Sequence, residues 1–181
     1  GHELLPIINK IDNITILEPS EYLRSDKLGH LTPKYLKPNI SGELPFPENS
    51  FDLITCFSAL HHIPNVRLVL SELTRVLKPG GIILIREPIR TMGDWRVPRN
   101  GLTKNERGIP HQYFDAFFKE QKITIVNKSF CDSNFAYKII SKILPINRNT
   151  IIYQQFDKLI SKIFSFNIHY HPRNNLSKVA P

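Results

Sequence analysis

Residues 44–87 read LPFPENSFDLITCFSALHHIPNVRLVLSELTRVLKPGGIILIRE, and this run decides the fold. Phe51 to Phe57 is a short apolar run carrying the β-formers Ile54, Thr55 and Phe57. A polar link with Pro64 and Asn65 follows. Val66, Leu68, Val69, Leu70, Leu73, Val76 and Leu77 then recur mostly three and four apart, which predicts a helix. Pro79-Gly80-Gly81 stops that helix, with Lys78 in its last turn. Ile82 to Ile85 is an unbroken branched-apolar run, the pattern of a strand buried on both faces. Strand, helix and strand make a right-handed βαβ unit. In open α/β sheets the ligand site lies beyond the carboxyl ends of the strands. That directs attention to Ser58 to His62 and to Arg86 and Glu87.

The ordered set LPFPxNSFD, strand, ALHHI, helix, LKPGG and strand resembles the class I S-adenosylmethionine-dependent methyltransferases of the small-molecule type. The resemblance runs from residue 1 to about residue 125 and is densest before Glu87. It implies a Rossmann-like, doubly wound α/β sheet. In that family the first strand ends in an acid and a GxGxG turn, where a side chain would clash with the cofactor. Here Leu4, Leu5, Ile7, Ile8 and Ile11 have helical spacing, so residues 3–11 read as the first family helix, with Pro6 in its first turn. Ile14 to Leu17 reads as the second strand, ending at Glu18. In this register the first strand is absent, the chain is a fragment, and Gly1 is the last glycine of the turn. The alternative is that Gly1-His2 is a cloning remnant.

The resemblance implies S-adenosylmethionine as cofactor and assigns its anchors. Glu18 would accept hydrogen bonds from both ribose hydroxyls, since one carboxylate has two oxygens to offer a vicinal diol. The alternative for Glu18 is an exposed loop glutamate, and Glu21 is a weaker competitor for the role. The adenine turn departs from the family pattern: Ile40-Ser41-Gly42-Glu43 offers Gly42 for close approach and Glu43 for the exocyclic amine. Phe57, Ser58 and Ala59 would pack along the cofactor.

His61 is the candidate general base. Neighbouring histidines on such a link are expected to point apart, with one facing the pocket and the other structural. No acid or cysteine stands nearby in sequence at ligand spacing, so no metal is expected at His61-His62 or at His169 and His171. The proline- and glycine-bearing segment after Glu87 combines Asp94, Trp95, Arg96, Arg99, Glu106 and Arg107. Arginine forks grip carboxylate or phosphate and an indole stacks on a sugar or ring, so Glu87, Asp94, Trp95, Arg96 and Arg107 are the acceptor candidates. The competing reading is a structural loop whose ions pair with one another. The segment also resembles one in methyltransferases linked to cell-surface glycan synthesis, which implies a sugar or glycan precursor as the small polar acceptor.

Downstream, Tyr113 to Phe118 reads as a helix and Lys122 to Lys128 as a strand. Residues 135–144 and 151–166 read as amphipathic helices, the second with the stripe Phe156, Leu159, Ile160, Ile163 and Phe164. Packing on the domain is the default for that stripe; a homodimer contact or a membrane-surface helix is the alternative. The domain organisation is therefore a methyltransferase-like α/β domain over 1–130, incomplete at its start, and a basic helical extension over 131–181. The end from Arg173 reads as frayed.

Charge supports this division. Up to Phe118 there are 14 basic and 13 acidic residues; from Lys119 onward there are 10 and 3. The later lysines are spread at helical spacing, which describes a solvated face rather than a nucleic-acid motif. Cys56 and Cys131 lie far apart, which excludes a disulfide framework and suits a reducing, cytoplasmic setting. No apolar run is long enough for a membrane span. The rival to an enzyme is a degenerate, non-catalytic methyltransferase-like module that binds a partner.

Overall fold

The computed structural model describes residues 2–131 and 150–171. Gly1, the helix expected over 135–144 and the end from Arg173 lie outside them. The chain divides into two compact units: residues 1–56 with 65–85, and residues 57–64 with 86–181.

The first unit opens with a helix at His2–Lys10, as its apolar spacing predicts, but the turns are 3-10 rather than α. Pro6 lies inside it and has no N–H to donate along the helix. Leu4 and Ile8 bury one face. Strand β1 is Thr15–Leu17. It pairs in parallel with β2, Lys34–Leu36, in the register Thr15 to Lys34, Ile16 to Tyr35 and Leu17 to Leu36. Next come β3 (Phe51–Phe57), α1 (Val66–Val76) and β4 (Leu77–Arg86). β3 and β4 form a second two-stranded sheet. Ser50 N donates to Val76 O and, further along both strands, Ser58 N donates to Arg86 O, so these strands are parallel and α1 is their crossover.

Helix α1 forms because its apolar residues share one face: Val66, Val69, Leu70, Leu73 and Val76 are buried, while Leu68 points outward. Burying each such side chain stabilises by roughly 1.5–3 kcal/mol. The turn before β3 is tied to this helix from its polar side. Glu72 accepts from Leu44 N, and Arg75 donates to Glu72, to Phe46 O and to Leu44 O. Strand β4 differs from expectation. Ile82 is 57% exposed and Leu84 42% exposed, so the run alternates instead of being buried on both faces.

In the second unit, α2 is His111–Glu120 and α3 is Ile151–Ile163. Thr150 caps α3, its side chain accepting from Tyr153 N. The buried face of α3 is Tyr153, Asp157 and Ser161, at a spacing of four. Leu159 and Ile163, placed in the buried stripe by the sequence, are exposed. The strand expected over Lys122 to Lys128 belongs to no sheet among the described residues, and Val126 is 92% exposed. β-branched residues make a strand only where a partner completes the ladder. Among the described residues no helix is long and apolar enough to cross a membrane.

Candidate functional site

Within the second unit, the chain leaves β3 through Ser58, which adopts a left-handed φ of 51° and is exposed. A non-glycine residue there is strained and turns the backbone sharply. The next three amides then point at one carboxylate. Ala59 N and Leu60 N each donate to Glu87 Oε1 at 2.8 Å, and His61 N reaches Oε2 at 3.3 Å. His61 Nδ1 completes the set on Oε2 at 2.7 Å. Glu87 follows β4 directly, and its side chain is 1% exposed. A charge this deep needs several donors, and the turn supplies three amides and an imidazole. Glu87 therefore shapes the turn.

His61 and His62 do not point apart. Their rings lie 4.0 Å apart at 40°. His61 is buried, whereas the His62 side chain is 42% exposed. An acid does stand nearby: Glu106 Oε2 is 3.7 Å from His62 Nδ1. That carboxylate accepts from Thr103 N at 2.9 Å and from Thr103 Oγ1 at 3.1 Å. The Thr103 amide, more than any other cause, holds Glu106 below the usual carboxylate range; partial desolvation opposes this, and the Thr103 hydroxyl and both histidines add to it. Thr103-Lys104-Asn105-Glu106 has the form T-x-x-E, in which a glutamate reaches back to an amide. That short signal marked the bond to Thr103, though nothing local marked the approach to His62.

Arg107 fixes this loop in place. Its amide donates to His61 O at 3.0 Å. Its guanidinium donates to Ile63 O at 2.8 Å and Pro64 O at 3.1 Å, and lies 5.6 Å from the centre of the Trp95 ring. Trp95, Arg96, Pro98, Arg99, Leu102 and Thr103 contribute to the wall of a cavity of about 540 Å³. Asp94 is taken by Arg96 through two 2.8 Å bonds, which hold its carboxyl at about 2. Both oxygens of Asp94 thus serve the loop, leaving Trp95 and the arginines as the cavity's distinctive surface.

In the first unit Glu18 stands just past β1, as expected, and its Oε1 accepts from Ser20 N at 2.8 Å. Gly42 has φ 94°, and a Cβ there would come within 2.9 Å of Val69 Cγ2. Close packing on α1 therefore accounts for this glycine without a ligand. Glu43 is exposed. At the end of β3, Phe57 lies under the Arg86 guanidinium at 5.2 Å.

Residues 3–85 match the methyltransferase domain family. They span the helix–strand opening, β1 to β3, α1 and most of β4. Over this segment the chain is similar to that methyltransferase domain family. A demethylmenaquinone methyltransferase of Listeria welshimeri is 56% identical over 79 residues, covering 43% of this chain and 34% of that protein. A sterol 24-C-methyltransferase of Gibberella zeae is 42% identical over 67 residues, covering 37% of this chain and 16% of that protein. The chain thus spans about a third or less of the length of these relatives. Among solved structures, the YcgJ protein of Bacillus subtilis superposes with a TM-score of 0.58 at 17% identity, covering 98% of this chain and 76% of that one. An S-adenosylmethionine dependent methyltransferase of Mesorhizobium loti gives 0.53 at 15%, covering 74% of each. The fold is therefore Rossmann-like, of the class I methyltransferase type. Within the matched segment His61 and His62 sit beyond β3; Glu87 and Glu106, which complete their surroundings, lie beyond residue 85.

Proposed function

We propose that this chain belongs to an S-adenosylmethionine-dependent methyltransferase acting on a small polar acceptor, with a sugar or glycan precursor as the acceptor class. The observation that carries the reading is Glu18, a half-buried carboxylate set at the carboxyl end of a parallel strand within the segment that matches the methyltransferase domain family. One of its oxygens holds Ser20 N, and as an acceptor-only group it suits a pair of ribose hydroxyls. The cofactor supplies an activated methyl on a sulfonium; the protein's part is to bind, exclude water and align. On this reading Glu18 holds the ribose, the Gly42-Glu43 turn takes the adenine, and Phe57 to Ala59 flank the cofactor. The cavity walled by Trp95 and Arg96 receives the acceptor. The aromatic face of Trp95, with Lys104 in the same wall, supports a hydroxyl-rich or anionic molecule. The names of the two relatives, a sterol and a demethylmenaquinone methyltransferase, support a small-molecule acceptor at that coarser level.

Calorimetric titration of S-adenosylmethionine into the whole protein tests the reading. Glu18→Ala removes charge-assisted hydrogen bonds and is expected to weaken binding by roughly ten- to a hundredfold. Trp95→Ala leaves that affinity unchanged but lowers transfer of labelled methyl to the acceptor found in a panel of sugars, quinols and sterols. A folded Glu18→Ala protein that binds as the parent does overturns the cofactor assignment. Tight cofactor binding with transfer to no acceptor favours the non-catalytic module instead.

A further inference from the structure

His61, His62 and Glu106 each offer a ligand atom, and these atoms lie within 4.8 Å of one another. Hydrogen bonding decides which atoms are offered. Glu87 is a carboxylate and can only accept, so His61 carries its proton on Nδ1 and presents the Nε2 lone pair. Thr103 has one hydroxyl proton, and it goes to Glu106 Oε2. The 2.9 Å contact between Thr103 Oγ1 and His62 Nδ1 is therefore made with the His62 proton, so His62 also presents Nε2. Both tautomers are assigned from these partners. Glu106 keeps a second oxygen beyond the one Thr103 holds.

We propose that His61, His62 and Glu106 form a binding site for a divalent transition cation of the zinc or cobalt class, with Glu87 orienting His61 from behind. Two imidazoles and one carboxylate are a donor set for such cations, and three protein ligands leave a coordination position open. A carboxylate on the far nitrogen of a ligating histidine fixes its ring and raises its basicity, which is the place Glu87 occupies. Bonds of about 2.1 Å in a tetrahedral arrangement set ligand atoms roughly 3.4 Å apart, so the three side chains, which already bring a ligand atom each within 4.8 Å of the others, draw closer on binding. Entry is through His62, the exposed member. The loop bearing Glu106 is already pinned to the histidine turn by Arg107, so the third ligand needs no folding step to arrive. The inference goes beyond methyl transfer and stands on side-chain geometry alone.

The test is titration of the full chain with Co²⁺, read by its visible ligand-field absorption, with Zn²⁺ as competitor. One equivalent is expected to bind and to be displaced by Zn²⁺. His62→Ala and Glu106→Gln each weaken binding at least tenfold with the far-ultraviolet circular dichroism unchanged, and Glu87→Gln weakens it by roughly 10- to 100-fold. His30→Ala, at an exposed histidine elsewhere, binds as the parent does. Absence of a visible band overturns the site. So does parent-like binding in both His62→Ala and Glu106→Gln, or equal loss in His30→Ala.

Discussion

Two glutamates, each gathered by several donors, separate the two units of this protein by what those donors leave over. Glu72, on α1 in the first unit, spends its oxygens on Arg75 and on the amide of Leu44. Those donors are themselves finished: Arg75 also covers two backbone carbonyls, and nothing reactive remains. Glu87, in the second unit, takes three amides and one imidazole. The imidazole has a second nitrogen, and fixing Nδ1 aims it. A carboxylate that braces backbone is architecture. One that braces a titratable ring also sets the direction of a lone pair.

The sharpest way to break the second arrangement is at Gly108. A Cβ there would run into the backbone carbonyl of Arg90, which cannot swing aside as a side chain can. Next to it Ile109 N donates to Pro88 O, and Arg107 N to His61 O. Gly108→Ala is expected to cost about 4–5 kcal/mol or more, seen as a collapse of the urea midpoint. A fully stable Gly108→Ala protein would show that the backbone around Arg90 is set differently.

Glu87→Gln is the next largest. The amide side chain keeps one accepting oxygen and presents N–H groups to donors. The expected loss is about 2–3 kcal/mol in chemical denaturation. Glu72→Gln should cost less at neutral pH, and its effect should depend on acidity. Arg75, above all, holds the Glu72 carboxyl down at about 2 from an ordinary 4.5. The stabilisation is therefore present above about 4.5 and is lost as pH falls towards 2. The gap in urea midpoint between the parent and Glu72→Gln should shrink across that window. A gap constant from pH 5 to pH 2 would mean the ion pair contributes nothing to stability.

The same contrast explains what could be read from the sequence. Strand β3 falls on the expected residues, and α1 ends at Val76 where the pattern ran to Leu77. Both are local periodicities enforced by a core that takes five side chains from one helix face. Strand β2 was not foreseen, because the three residues Lys34–Leu36, in a stretch bounded by Pro33 and Pro38, are too few to show a period. The stretch 122–128 has strand chemistry but no ladder. In α3 the helix was read and its buried face was not: Ser161 is fully buried while Leu159 is not. The position of Glu18 could be read because it directly follows a strand. The meeting of His61 with Glu87, and of His62 with Thr103 and Glu106, joins residues far apart in sequence, and no local pattern encodes it.

The Arg107 clamp also orders events in time. Its bond to Ile63 closes a span of 44 residues, and by the logarithmic law for loop closure this costs about 3 kcal/mol of chain entropy. The turn that carries the histidine pair cannot reach its final form when β3 is made, nor when β4 is paired. It waits for the segment that ends at Arg107. During synthesis the strand–helix–strand run is complete in sequence before Arg107 emerges, so the clamp on the histidine turn can form only after it.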